Sequence, residues 1–336
     1  MNGSGRRRRR GMVSPRGAEA FRIDGNTLVV LDGSGDVLWK KSFRGRALDA
    51  QLHEGSVPVQ VADLDGDGKG EVLVVTIPDG RPSELVCFSS SGERLWAYSP
   101  RRTVRTASEV FEPPFPVRTV AVEPGEARRI AVTVTHQMFF PTQVALLDAR
   151  GKLLREYWHS GHLKVLRFAD VNHDGHYELY AGGISNASWE GTLVVLDPDT
   201  MGGASAEPAP YQLLGFPPGT ELGRVFFPHG RLSKLFSLKN FVIRIRFSEN
   251  QIIVETFEGN WGPEVGTVLY QLSPTLDVVS AGASDSLLRV TDQLFRAGKI
   301  DRPWSAEHDP ALRRIRVIKP PQEPAGGRAV SLRREH

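Results

Sequence analysis

Leu28-Val29-Val30-Leu31-Asp32-Gly33-Ser34-Gly35-Asp36-Val37-Leu38-Trp39 is an apolar run, a glycine-containing turn and a second run ending in tryptophan, the pattern of a β-hairpin. It returns as Leu85-Val86-Cys87-Phe88-Ser89-Ser90-Ser91-Gly92-Glu93-Arg94-Leu95-Trp96. It returns again as Val144-Ala145-Leu146-Leu147-Asp148-Ala149-Arg150-Gly151-Lys152-Leu153-Leu154. Its first half recurs at Leu193-Val194-Val195-Leu196-Asp197, and a looser copy lies at Leu269-Tyr270-Gln271-Leu272-Ser273. The turn glycines Gly35, Gly92 and Gly151 are 57 and 59 residues apart, while Leu147, Leu196 and Leu272 are separated by 49 and 76.

A second motif keeps the same phase. Val61-Ala62-Asp63-Leu64-Asp65-Gly66-Asp67-Gly68-Lys69-Gly70-Glu71 precedes the β-branched run Val72–Val75, and Phe168-Ala169-Asp170-Val171-Asn172-His173-Asp174-Gly175-His176-Tyr177-Glu178 precedes Leu179-Tyr180. Between them, Val120–Glu126 leads into Ile130–Val134 with the acidic pattern worn away. Asp63, Val122 and Asp170 are 59 and 48 residues apart, within a residue of the hairpin spacings. Repeats of 50–60 residues, each holding several short strands and no helical pattern, describe four-stranded propeller blades, which bury their faces only by stacking on neighbours. The expected fold is an all-β propeller of about five blades over residues 19–300, with six or seven also compatible with the 76-residue interval. Residues 1–18 read as a disordered basic tail, Met201–Pro218 as an insertion loop, and Leu287, Leu288, Val290, Leu294 and Phe295 as one face of a short helix after Ser284. Residues 301–336 read as a C-terminal helical or loose tail.

Composition narrows the class. Hydrophobic residues at 40% and charged residues at 24% suit a soluble globular chain. One cysteine among 336 residues excludes an internal disulfide framework and a cysteine-rich zinc site, and Cys87, inside an apolar run, reads as a small buried hydrophobe. Arg6–Arg10 carry five of the charges behind the net +3, leaving −2 for the rest. The body is therefore near neutral, and no specific nucleic-acid partner is expected. The arginine run also fits the flank of a missing membrane anchor, the one membrane link expected.

Asp63, Asp65 and Asp67 occupy positions 1, 3 and 5 of a tight loop, with the Lys69 carbonyl at 7 and Glu71 at 9. The second loop offers Asp170, Asn172, Asp174, the His176 carbonyl and Glu178. Alternate residues of such a loop can converge on one point, and Ca²⁺ takes six to eight oxygens there. An EF-hand needs glutamate at position 12, where Val74 and Ala181 stand, and a helix where Val72–Val75 follows. An acidic ligand at position 9 followed directly by a strand resembles the FG-GAP (VCBS-type) repeats of integrin-α-like β-propellers, over roughly residues 21–280. The resemblance implies structural calcium at the two full loops and a role in adhesion, sensing or scaffolding.

Sharper readings are weaker. Tryptophans ending hairpins also occur in quinoprotein propellers, yet Trp39 and Trp96 are more simply explained by packing between blades. His159, His162, His173 and His176 suggest zinc, but they read as loop histidines exposed to water. There is no Gly-x-Ser-x-Gly, His-Glu-x-x-His, Walker or dinucleotide-binding motif. The expectation is a non-enzymatic, monomeric, calcium-binding module for a protein or carbohydrate ligand, favoured outside the cytoplasm. The alternative is a propeller enzyme acting on a sugar or alcohol.

Overall fold

A computed structural model describes residues 17–43, 58–76, 83–136, 141–261, 264–305 and 310–319; Arg6–Arg10 and, of the expected C-terminal tail, residues 306–309 and 320–336 lie outside them. The chain forms successive antiparallel meanders. The first sheet holds β1 (Ala20–Asp24), β2 (Thr27–Leu31) and β3 (Val37–Ser42). The second holds β4 (Val59–Ala62), β5 (Glu71–Thr76), β6 (Glu84–Phe88) and β7 (Arg94–Tyr98), followed by a small hairpin of β8 (Val104–Arg105) and β9 (Val110–Phe111). The third is β10 (Val117–Val122), β11 (Ile130–Thr135), β12 (Thr142–Leu147) and β13 (Leu153–His159). The fourth is β14 (Leu163–Ala169), β15 (Glu178–Ile184), β16 (Gly191–Leu196) and β17 (Glu221–Phe227). After a short helix α1 (Arg231–Leu235), the fifth is β18 (Val242–Ser248), β19 (Gln251–Trp261), β20 (Glu264–Leu272) and β21 (Val278–Ala283). Helix α2 (Asp285–Arg296) and a 3₁₀ turn (Pro310–Arg313) precede β22 (Arg316–Ile318).

The strand pattern follows from burial. β5, β11, β12 and β16 are buried at every residue, which is why their sequences are continuous β-branched and apolar runs rather than alternating ones. The fourth strands β7 and β13 are partly exposed and carry the charged residues. Each sheet packs its face on the next. Apolar clusters join the first sheet to the second through Val30 and Val74, the second to the third through Leu85 and Val132, and the third to the fourth through Val144 and Leu179. The fourth joins the fifth through Val225 and Tyr270. Among the described residues no apolar cluster joins the fifth sheet to the first. The opening strands β4, β10, β14 and β18 lie successively side by side.

The sequence hairpins occupy equivalent turns. The N–H groups of Gly35, Gly92 and Gly151 donate to the carbonyls of Asp32, Ser89 and Asp148, at 2.9, 2.9 and 3.0 Å. Leu276 makes the same bond to Ser273 at 2.9 Å and has φ +67°, so the looser copy is the same turn without its glycine. The tryptophans add a second reason for two of these glycines. Trp39 donates its indole N–H to the Ser90 carbonyl (3.0 Å) and Trp96 donates to Ala149 (2.9 Å), each reaching the turn of the following sheet. A Cβ on Gly92 would meet Trp39 at 3.0 Å, and one on Gly151 would meet Trp96 at 2.5 Å. Trp39 and Trp96 therefore fasten one sheet to the next.

Gly151→Ala is expected to lower stability by about 2–4 kcal/mol, adding left-handed strain at φ +76° to overpacking against Trp96. Gly125→Ala, at φ +84° with nothing within 4 Å of the new Cβ, should cost only the strain, about 1–2 kcal/mol. Equal losses in denaturant unfolding would show that the tryptophan contact does not demand the glycine.

Several expectations are sharpened or corrected. Residues 201–218 form no strand or helix apart from two isolated bridges, Ala204 with Trp158 and with Pro218, as expected of an insertion. Ser284 caps α2, its side chain accepting from the Leu287 N–H. Cys87 is buried and free, and burial raises its thiol to about 12, so it is inert at neutral pH. Residues 316–318, expected to be helical or loose, instead add β22 as a fifth strand beside β17. His159 and His162, expected on the surface, are buried at 0% and 4% exposure, while His173 and His176 are exposed. Among the described residues no helix is long and apolar enough to cross a membrane.

Candidate metal centre

Both acidic loops connect the first two strands of a sheet. The register pairs Ala62 with Glu71 across the first, Ala169 with Glu178 across the second, and Val122 with Ile130 across the worn copy between them. Asp63, Glu123 and Asp170 therefore hold one structural position, and Glu71, Ile130 and Glu178 another. The loops fold around their own carboxylates. Asp63 accepts the N–H groups of Gly66 (2.8 Å) and Gly68 (3.2 Å), and Asp170 accepts those of Asp174 (3.1 Å) and Gly175 (3.0 Å). Gly66 and Gly68 at φ +85° and +82° supply the left-handed steps of this winding.

In the first loop, carboxylate oxygens of Asp63, Asp65 and Glu71 lie within 4.8 Å of one another. Glu71 is buried and accepts from the Leu64 N–H at 2.8 Å. Burial raises its pKa, and the charges of Asp65, Asp67 and Asp63 push in the same direction. Asp67 stands apart from this trio. Its carboxylate takes the Lys69 N–H at 2.8 Å and the Lys69 ammonium at 3.1 Å, which hold its pKa down. The donor set is three carboxylates, all hard oxygens, of the kind a divalent cation such as calcium takes.

The second loop is arranged differently. The Asn172 amide donates to Asp174 at 2.9 Å and to Glu178 at 3.4 Å, bridging the two acids, and the His176 N–H donates to Asp174 at 2.8 Å. Burial raises the Glu178 pKa, while the His176 backbone bond lowers that of Asp174. The His176 and His173 side chains are exposed.

The worn third copy holds residues the acidic pattern does not announce. Arg129 grips Glu123 with two bonds (2.6 and 2.8 Å) and also reaches Asp199. A guanidinium thus neutralises the position that Asp63 and Asp170 occupy elsewhere. Arg128 turns the other way and lies 3.6 Å from Asp63. The adjacent basic pair, placed just before the strand that follows the loop, is the sequence signal for both contacts. Between the third and fourth sheets the loops border an open groove of about 840 Å³ that includes Glu126, Arg129, Asp174, Glu178 and Asp199.

No family model matches the sequence, and no curated protein matches it. Among solved structures, the chain is similar to a protein of unknown function from Bacteroides caccae, at 13% identity and TM-score 0.37, covering 77% of this chain and 71% of that one. It is also similar to an exo-β-1,3-galactanase from Phanerochaete chrysosporium, at 9% identity and TM-score 0.34, covering 77% of this chain and 60% of the galactanase. A Synechocystis apocarotenoid oxygenase variant matches at 10% identity and TM-score 0.30, covering 79% and 69%. Likenesses this distant say nothing about activity.

Proposed function

We propose that the chain is a calcium-stabilised β-propeller of the FG-GAP type, its five sheets serving as blades, and that it acts as a non-enzymatic binding module. The observation that carries the calcium reading is the convergence of Asp63, Asp65 and buried Glu71 at one corner of a sheet. Three carboxylates at that distance repel one another unless a cation or protons intervene. The Asp63 loop is the stronger site, because the Asn172 amide already partly satisfies Asp174 and Glu178 in the other. Weak, structural calcium suits a setting outside the cytoplasm, where millimolar calcium fills sites of modest affinity.

The binding role is assigned to the opposite end of the sheets. In a meander, alternate loops leave at opposite ends, so the acidic loops and the glycine turns share one end. The β8–β9 hairpin and the β13–β14 loop share the other; the insertion leaves β16 at the first end, but its far part reaches across, so that Phe111, Pro141, Ser160, Pro210 and Tyr211 border a cavity of about 150 Å³ there. Insertions gathered on one face of a repeat fold are where ligands are taken. The proposed ligand is a protein segment or a carbohydrate.

Calcium at a hundred times its Kd stabilises a folded state by about 2.7 kcal/mol. Chelation is therefore expected to lower the melting temperature and added calcium to restore it. Asp65→Ala should remove most of that response and Asn172→Ala less, while neutralising the His173 and His176 side chains should leave it unchanged. A calorimetric titration that shows no uptake at millimolar calcium would overturn the assignment.

A further inference from the structure

The Asp63 loop already has a cation beside it, delivered from another sheet. Arg128 belongs to the loop between β10 and β11, and its Nη2 lies 3.6 Å from Asp63 Oδ2. A Cβ placed on Gly66 would fall 2.5 Å from Arg128 Nη1, so the guanidinium rests directly on the acidic loop's glycine. Its base is firmly held: Arg128 has φ +49°, a left-handed conformation uncommon for arginine, and the next residue is clamped by Glu123 and Asp199. Among the described residues no lysine or arginine pairs in this way with Asp170, Asp174 or Glu178. Asp63 is thus shared between two demands, as a member of the converging carboxylate trio and as the ion partner of Arg128.

We propose that Arg128 is a tethered competitor for the cation of the Asp63 loop. This rests on the calcium reading above. The guanidinium and a divalent ion repel one another and draw on the same carboxylate, so metal entering the loop displaces Arg128 from Asp63. Arg128 therefore sets the affinity of this site below what its carboxylate number alone would give. It also links occupancy of the second sheet's loop to the seating of the third sheet's loop against it. The contact is about one-third exposed on the arginine side, at 33%, so solvent screens much of the interaction. Its removal should accordingly tighten calcium binding by about three- to tenfold rather than by orders of magnitude.

The test is isothermal titration of calcium into the full chain, comparing wild type, Arg128→Gln, Arg128→Lys, Asp65→Ala and the Asp65→Ala/Arg128→Gln double variant, with circular dichroism to confirm folding. Arg128→Gln is expected to tighten the site that Asp65→Ala removes, Arg128→Lys to stay near wild type, and the double variant to match Asp65→Ala alone. Melting temperatures should cross: in chelator Arg128→Gln melts at or below wild type, and in millimolar calcium it melts above. Equal or weaker affinity in Arg128→Gln would overturn the competitor role while leaving calcium binding intact. No uptake by either wild type or Arg128→Gln would instead overturn the calcium reading, and this proposal with it.

Discussion

Arg224→Leu is expected to lower stability by about 3–5 kcal/mol at pH 7, the usual cost of stranding one member of a buried ion pair. Arg224 lies in β17 with its side chain 1% exposed, 2.6 Å from Glu207, whose side chain is 3% exposed. It also donates to the Ala206 carbonyl at 2.7 Å, and its Nε sits 3.3 Å from Glu221 without hydrogen-bond geometry. Glu221 in turn accepts the buried Tyr157 hydroxyl at 2.6 Å. Through these contacts one guanidinium fastens the 201–218 insertion to the fourth sheet. Leucine would fill the volume but leave Glu207 charged and alone.

The pH dependence makes the prediction specific. Burial already raises the Glu207 pKa, and Arg224 opposes that rise. Without the arginine, the folded-state pKa climbs further above the unfolded value. A carboxyl raised in this way destabilises the fold at high pH, and the penalty fades as pH falls through the raised pKa. The gap between variant and wild type should therefore narrow between pH 7 and about pH 5. Arg224→Leu/Glu207→Leu should recover much of the loss at neutral pH, because the more buried carboxylate is gone and Glu221 keeps the Tyr157 hydroxyl. A deficit under about 1 kcal/mol in denaturant unfolding, or one that does not change with pH, would mean that Glu207 finds another partner or reaches water.

How far these features could be read from the sequence depends on the range of the forces that shape them. The hairpin turns were legible because Gly35, Gly92 and Gly151 answer a local demand, a positive φ, which at Gly92 and Gly151 also lies under an indole. The fourth turn looked degenerate because Leu276 accepts the same φ and gains burial in exchange. The 76-residue interval was opaque because the insertion and α1 separate strands that are otherwise regular. β22 pairs Val317 with Val225, far apart in the chain, so nothing local marks it as a strand. In the acidic loops the positions of Asp63, Asp65 and Glu71 followed from spacing, but the turning of Asp67 toward Lys69 and the reach of Arg128 did not. Burial of single side chains was least legible. His159 ends β13 and His162 lies in the short connection after it, and only tertiary packing, of the third sheet on the fourth and of Phe241 beside His162, encloses them.

That enclosure produces the second large effect, an acid-driven loss of stability carried by two histidines. His159 is fully buried, with Nε2 3.2 Å from the Ile184 carbonyl and no partner at Nδ1, so its neutral form donates through Nε2. Burial lowers its pKa to about 3, with Arg224 adding to the shift. Burial likewise lowers His162 to about 3, and Lys164, Arg118, His159 and Lys239 all add positive charge in the same sense. Unfolded, both titrate near the ordinary 6.5. Their folded values lie below the unfolded ones, so the stability they contribute is complete above about pH 6.5 and drains as pH falls toward 3. By pH 5 the loss is about 2 kcal/mol for each, a large share of a marginal total. Glu71, Glu178 and Glu207 act with the opposite sign, since their raised folded values favour the fold as they protonate. His136, lowered by burial, adds to the loss. Stability measured by urea unfolding should thus be flat above pH 7 and fall steeply between pH 6 and 4. His159→Gln, which keeps a donor for the Ile184 carbonyl, should make that fall shallower by close to one proton's worth, about 1.4 kcal/mol per pH unit. An unchanged slope in this variant would show that His159 is not held neutral by the fold.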